Sequence, residues 1–225
     1  AGFHVAALGN NHVFDYGEPG LRATLERCRA AALATTGAGD NIEDACRPAF
    51  VDCHGVRVGV LNLADREEGD AEPDRPGVAP ATDLHVLDRV RRLREQADVS
   101  ILIVHGGGEF IPVPSLYWYD RVLALAEAGA DLVVAHHPHV PQGLCLLDCL
   151  DGRRVPVAFS TGNFVFRPAP PEPNEVPPRT KDGYLVSARF AGRRLVALTL
   201  TPYLIDESLG PRPLPPAARP SASPR

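Results

Sequence analysis

The chain has 225 residues, is 44% hydrophobic and carries a formal net charge of −5 at pH 7. This length and apolar content suit one large α/β domain. Because the arginines are scattered and form no basic stripe, we expect no nucleic acid partner. No apolar run approaches the ~20 residues of a bilayer span, and no signal peptide is recognised. The sequence therefore predicts a globular domain that acts on something other than nucleic acid.

The first part of the chain predicts alternating strands and helices. Short β-branched runs predict strands, and apolar positions at helical spacing predict helices. The first helix has Pro19 in its first turn and Gly37 beyond its end, as helix boundaries favour. In order, we predict a strand over 3–8, a helix over 18–34, a hairpin of 50–53 and 56–61, a loop over 65–80, a helix over 84–96, a strand over 99–104, a helix over 115–128 and a strand over 131–135. This order implies a parallel core with right-handed crossovers.

The second part predicts antiparallel strands followed by a tail. Candidate strands cover 143–149, 155–159, 184–190 and 194–202, with turns at Asp151-Gly152 and Gly192. The proline-rich stretch 167–179 and the proline-rich end of the chain are expected to be flexible. We therefore predict one domain over 1–205 and a disordered tail over 206–225.

Side chains typical of metal and acid–base sites follow three of the predicted strands. They lie in Asn10-Asn11-His12-x-x-Asp15, in His105-Gly106-Gly107-Gly108-Glu109 and in Ala135-His136-His137-Pro138-His139. Open α/β folds place ligand sites at the carboxyl ends of strands, and neutral imidazole is the commonest protein metal ligand. A histidine-rich surface turn and a plain glycine turn are the alternatives. The shared position of the three motifs at strand ends favours a metal site over these alternatives.

Five motifs, in order, resemble those of the CapA family, the poly-γ-glutamate capsule synthesis proteins. The motifs are Asn10-Asn11-His12-x-x-Asp15-Tyr16-Gly17, Gly37-Ala38-Gly39, His105-Gly106-Gly107-x-Glu109, Gly129-Ala130-Asp131 running into His136-His137-Pro138-His139, and Phe159-Ser160-x-Gly162-Asn163-Phe164. The family is related in fold to the calcineurin-like metallophosphoesterases. The resemblance implies an α/β fold, a metallophosphoesterase-like sandwich of two mixed β-sheets flanked by helices, with a two-metal centre at the strand ends.

The resemblance also implies a role for each site residue. It assigns metal binding to Asn11, His105, His137 and His139, acid catalysis to His12 with Asp15 as its orienting partner, and substrate contact to Glu109, His136 and Asn163. Buried structural roles remain open for Glu109 and Asn163, and a supporting role beside the ligands remains open for His136. The metals would be divalent Mn, Fe or Zn, which imidazole and amide ligands suit alike.

Family members begin with a strand bearing a Gly-Asp motif and a segment bearing an Asn-Leu-Glu motif, and this chain starts after both. The resemblance therefore implies a domain that lacks its first strand or strands, and with them the aspartates that balance the charge of two metals. We expect two metal ions in an intact family member and one or none in this chain, whose activity would be impaired.

The resemblance implies metal-dependent hydrolysis through an activated water. The substrate would be a polyanionic polymer or a phosphoester: the superfamily implies a phosphoester, and the family name suggests an amide bond of a glutamyl polymer. Two alternatives remain open. One is a non-catalytic subunit, with a vestigial metal site, of a membrane-associated polyglutamate synthesis and export complex that contains other capsule synthesis subunits. The other is a metal-binding domain without turnover. Family members are usually anchored at the outer cell surface.

Overall fold

The structure, a computed structural model, describes residues 2–65, 69–166 and 179–215. The strands are β1 (Val5–Ala7), β2 (Ala34–Thr36), β3 (Ala38–Gly39), β4 (Ala49–Cys53), β5 (Val56–Ala64), β6 (Gly77–Val78), β7 (Val99–His105), β8 (Leu132–His136), β9 (Leu144–Asp148), β10 (Arg154–Ala158), β11 (Asp182–Ala191), β12 (Arg194–Ile205) and β13 (Pro211–Pro213). The helices are α1 (Gly17–Ala30), α2 (Ile42–Ala45), α3 (Val86–Gln96) and α4 (Leu116–Gly129). Among the residues described, no helix combines the length and apolar character needed to cross a lipid bilayer.

A six-stranded mixed sheet forms the centre of the molecule, in the order β4-β5-β7-β8-β10-β9. Strands β5, β7, β8 and β10 run parallel to one another, while β4 and β9 pair antiparallel at the two edges. Strand β7 is buried along most of its length, as its continuous apolar run predicts. The predicted α/β fold is confirmed. Because the four parallel strands point the same way, their carboxyl ends meet at one edge of the sheet.

Helices α3 and α4 pack against the central sheet and complete its core. Val90 of α3 and Leu125 of α4 are fully buried, as is Leu102 of β7 in the same cluster. Two arginines hold the carboxyl ends of these helices: Arg153 donates to the carbonyls of residues 126, 127 and 130, and Arg193 donates to those of residues 94 and 97. These contacts satisfy helix-end carbonyls that would otherwise lack donors.

Three smaller sheets accompany the central one. Strands β1 and β2 form a parallel pair, β3 and β6 an antiparallel pair, and β11, β12 and β13 an antiparallel sheet. The central sheet is therefore the one mixed sheet among the described residues. Strand β1 does not join it, so the Asn10-Asn11-His12 loop approaches the central strands from a separate sheet.

Several predicted boundaries differ from the structure. The first helix ends at Ala30 instead of residue 34, because Ala34–Thr36 pairs with β1, and this pairing overrides the helix propensity of an alanine-rich run. The predicted loop 65–80 contains β6, and the predicted tail 206–225 contains β13. The stretch 167–178 and residues 216–225, both predicted to be flexible, lie outside the described residues.

Candidate metal centre

Two imidazoles and one amide meet at the carboxyl edge of the central sheet. His105 ends β7 and His136 ends β8, and these residues are partners in the parallel pairing of the two strands. Their Nδ1 atoms lie 2.9 Å apart, and Nε2 of His105 lies 2.9 Å from Oδ1 of Asn11. Because an amide oxygen only accepts, Nε2 of His105 carries the proton and its Nδ1 accepts from His136.

The histidines at this edge are held in the neutral form. Burial, reinforced by the neighbouring imidazoles, lowers the pKa of His105 to about 2 and the pKa of His136 to about 4. Burial also lowers the pKa of His137. Neutral imidazole is the form that binds metals, since a protonated ring has no free lone pair. At neutral pH these three histidines are therefore already uncharged and need not release a proton to solvent before one of their ring nitrogens binds a metal.

A second cluster combines Glu109 with His137 and His139. One ligand atom from each of these three residues lies within 4.8 Å of the other two. Nε2 of His137 is 3.8 Å from a carboxylate oxygen of Glu109. His105 is not in this group, but its ring centroid lies 4.6 Å from that of His137. The predicted set of four ligands is thus divided between two adjoining clusters, and Glu109, predicted to face substrate, lies among the histidines of the second.

The backbone of the second cluster adopts an uncommon conformation. His137 has φ 115° and His139 has φ 60°, values in the left-handed region that side-chain-bearing residues rarely adopt. The intervening Pro138 accepts a hydrogen bond of 2.8 Å from the backbone N–H of Phe110. Backbone strain of this kind costs free energy and concentrates at functional sites. Here the conformation places His137 and His139 near Glu109.

Asn163 fixes the orientation of His139. Its Oδ1 accepts a hydrogen bond of 2.8 Å from Nδ1 of His139, and its Nδ2 donates to the carbonyls of His139 and Thr180. With its proton held on Nδ1, His139 presents the lone pair of Nε2 as a ligand. This buried, fully engaged amide favours the structural role for Asn163 over direct contact with substrate.

The residues present fit a divalent metal ion. Nδ1 of His137 is buried and has no hydrogen-bond partner among the described residues, which is costly for a polar atom unless a ligand satisfies it. Nε2 of His105 and Oδ1 of Asn11 are 2.9 Å apart, close to the ~3 Å that separates adjacent ligands at ~2.1 Å from one ion. Nε2 of His105 becomes free to bind if its proton moves to Nδ1 and His136 shifts its own proton from Nδ1 to Nε2, so that Nδ1 of His136 accepts. The donor set of imidazole, amide and carboxylate suits Mn, Fe or Zn.

His12 and Asp15 form an exposed pair near both clusters, and the charge of His12 contributes to lowering the pKa of His105 and of His137. Nδ1 of His12 and Oδ2 of Asp15 are 2.9 Å apart, and half or more of each side chain is exposed. The carboxylate holds the imidazole orientation, as the predicted pairing requires. Because both side chains are exposed, a molecule at the surface can contact this pair.

Sequence reasoning did not identify two aromatic residues beside the site or a buried asparagine beneath it. The rings of Phe110 and Phe166 lie 5.7 and 4.9 Å from that of His139. Asn62 of β5 is fully buried and contacts Gly9. The sequence could have indicated Asn62, because it is a polar residue between two leucines in the apolar second half of β5. Nothing local distinguished the two phenylalanines.

The glycines after His105 make room for Trp118. A Cβ added to Gly106 would lie 2.7 Å from the Trp118 ring and 2.9 Å from Cβ of Asp65. We therefore expect Gly106→Ala to lower the free energy of unfolding by about 1–3 kcal/mol, measured by urea denaturation. Gly143→Ala is the matched control, because its Cβ would meet nothing within 4 Å. Equal destabilisation by the two variants would contradict this assignment of Gly106.

Comparison with known proteins identifies the family. The family model described as bacterial capsule synthesis protein PGA_cap matches residues 1–168 of the chain. The chain belongs to this family. The resemblance noted in the sequence is thereby confirmed, and the motifs that carry it lie within the matched region.

Named relatives of the capsule synthesis family align along most of the chain. The capsule biosynthesis protein CapA of Bacillus anthracis is 30% identical over 220 residues, which cover 95% of this chain and 50% of that protein. The PGA biosynthesis protein CapA of Bacillus subtilis is 29% identical over 209 residues, covering 92% of this chain and 52% of that protein. A "Probable polyglutamine synthesis accessory protein" of Mycobacterium tuberculosis is 30% identical over 179 residues, covering 72% and 45%. The chain thus spans about half the length of these relatives.

A solved structure shares the fold. A hypothetical protein from Thermus thermophilus superposes with a TM-score of 0.55 at 17% identity, covering 90% of this chain and 77% of that one. At this identity, the likeness supports the α/β architecture and carries no information on function.

Proposed function

We propose that this chain forms the hydrolytic centre of a metal-dependent enzyme of capsule polymer biosynthesis. The observation that carries the proposal is the convergence of Glu109, His137 and His139 within 4.8 Å of one another, beside the contact between Asn11 and His105. A surface turn rich in histidine would not bury an unpaired ring nitrogen or bring a carboxylate from another loop to the same point.

Each of the two clusters would provide ligands for a metal ion. The sequence leads us to expect one ion or none in this chain, and the two clusters lead us to propose more. His137, His139 and Glu109 would hold one divalent ion. Asn11 with His105 would provide ligands for another, with His136 supporting His105 through its ring nitrogen. A bound divalent metal supplies Lewis acidity, which lowers the pKa of a water and polarises the substrate oxygen. Glu109 is the one carboxylate of the three-residue group, so it provides most of the charge balance there.

His12 would deliver a proton to the leaving atom of the substrate. Its Nδ1 is engaged by Asp15, so Nε2 is the nitrogen available to donate. The exposure of both side chains leaves room for a polymer to lie across the rim. The substrate would be a polyanion, because the relatives are named for capsule and PGA biosynthesis and the motifs resemble those of poly-γ-glutamate capsule synthesis proteins. A phosphoester and the γ-glutamyl amide bond are the two candidate linkages.

A second candidate is a non-catalytic subunit of a membrane-associated polyglutamate synthesis and export complex. Two observations favour it: one relative carries the name of an accessory protein, and the three-residue cluster has a single carboxylate. In that case the clusters would bind a metal for structure without turnover.

We expect His12→Ala to lower kcat by about 10²–10⁴-fold while leaving metal content unchanged. The assay uses the full-length protein loaded with Mn²⁺, Fe²⁺ or Zn²⁺, with bis(p-nitrophenyl) phosphate and γ-glutamyl oligopeptides as substrates. His4→Ala is the matched control, since His4 is exposed and lies outside the site. Bound metal without turnover on either substrate would instead support the subunit function. Absence of metal binding would overturn both.

A further inference from the structure

We propose that Asn62 is a positioning residue that holds Asn11 against His105. The inference rests on the proposed metal centre and extends it to a residue that touches neither cluster. Asn62 lies in the second half of β5, whereas Asn11 follows β1 in a different sheet. Strand pairing does not join these two sheets, so contacts outside the strand ladders set the distance from Asn11 to His105.

Asn62 uses its whole carboxamide to bridge the two sheets. Its Oδ1 accepts a hydrogen bond from the backbone N–H of Gly9, two residues before Asn11. Its Nδ2 lies 3.4 Å from the carbonyl of Gly9 and donates at 3.1 Å to the carbonyl of Ile103, two residues before His105. One fully buried amide therefore contacts both chain segments that lead to the Asn11–His105 pair.

The backbone around Asn62 is built to approach it closely. A Cβ on Gly9 would lie 2.8 Å from Oδ1 of Asn62, and a Cβ on Gly37 would overlap the same atom. Gly37 also has φ 96°, which glycine adopts without strain. Two glycines thus leave space that the Asn62 amide occupies, so the position of the Gly9 backbone depends on this side chain.

The consequence concerns the ligand geometry. Metal affinity falls when the groups that orient a ligand are removed, typically by 10–100-fold. Asn11 reaches His105 from a loop, and loops place side chains less accurately than strands unless neighbouring groups fix them. Asn62 supplies that support from a buried strand of the central sheet.

The test is a double-mutant cycle on metal affinity in the full-length protein. We expect Asn62→Leu to weaken Mn²⁺ or Zn²⁺ binding by about 10–100-fold in the natural background and by less than about twofold in an Asn11→Ala background. Thr36→Val is the matched control: Oγ1 of Thr36 accepts from the backbone N–H of Asn62, and within the described part of the chain this side chain forms no hydrogen bond to Gly9. It should lower stability without weakening metal binding. Equal effects of Asn62→Leu in both backgrounds would overturn the proposal.

A second measurement needs no metal. In the metal-free protein, the ¹⁵N resonances of the His105 imidazole report its contact with Asn11. Asn62→Leu should shift them as Asn11→Ala does, and Thr36→Val should not. If Asn62→Leu does not fold, Asn62→Ser replaces it in both measurements. Failure of the natural protein to bind metal would refute the proposed function alone, whereas unchanged His105 resonances in a folded Asn62 variant would refute the role of Asn62.

Discussion

Replacing His139 by asparagine is expected to weaken binding of Mn²⁺ or Zn²⁺ by at least about 100-fold, equivalent to about 2.8 kcal/mol. His139 presents Nε2 to the cluster because Asn163 holds its Nδ1. Asparagine tolerates the φ of 60° at this position, so the substitution replaces the imidazole by a shorter side chain, whose amide oxygen does not reach as far as Nε2, while avoiding new backbone strain. The affinity would be measured by competition with a chromophoric chelator.

The control for this experiment is His4→Asn, which removes an exposed imidazole far from the cluster in sequence. It should leave metal affinity within a factor of about two. Thermal unfolding of the metal-free proteins shows whether His139→Asn remains folded. A folded His139→Asn variant with unchanged metal affinity would remove His139 from the ligand set and leave the second cluster with too few donors.

The second large effect concerns Trp118, which packs beneath the loop that follows His105. We expect Trp118→Ala to lower the free energy of unfolding by about 3–5 kcal/mol, measured by urea denaturation. Trp118 is 1% exposed and packs against Gly106 and Gly107, directly after His105. Its Nε1 has no hydrogen-bond partner within the described residues, so the cost comes from lost packing and the cavity that remains.

Leu116→Ala is the matched control for Trp118→Ala. Leu116 lies on the same helix but is 83% exposed, so its removal should change the free energy of unfolding by no more than about 0.5 kcal/mol. Comparable destabilisation by the two variants would contradict the assignment. It would show that α4 stabilises the protein through helix propensity and not through the contact of Trp118 with Gly106 and Gly107.

The placement of His105 and His136 at the ends of strands was predictable, because local sequence patterns indicate those strands. The β-branched run before His105 predicts a buried strand, and the run before His136 predicts a second one. Parallel strands separated by a helix share their carboxyl edge, so the approach of His105 to His136 followed from the order of the elements. The boundary of the first helix was wrong by about four residues, since β2 pairs with β1 over residues that favour a helix in isolation.

Contacts between loops were not predictable in the same way. Glu109 was assigned to substrate contact, yet it lies beside His137 because the left-handed backbone at His137 and His139 turns that segment towards it. Asn163 contacts His139 from a loop after β10, and only the fold shows that both polar atoms of its side chain form hydrogen bonds inside the protein.

The amino-acid sequence alone determined the family, the α/β class and the loops that carry histidine, asparagine and carboxylate side chains, because short-range periodicity and residue chemistry carry this information. Only the tertiary structure decided how those residues divide into two clusters and which buried amide supports them. The separate sheet of β1, the strained turn at His137 and the carboxamide of Asn62 depend on contacts between residues far apart in the chain. Such contacts depend on how the strands and loops pack together, and no local pattern specifies that packing.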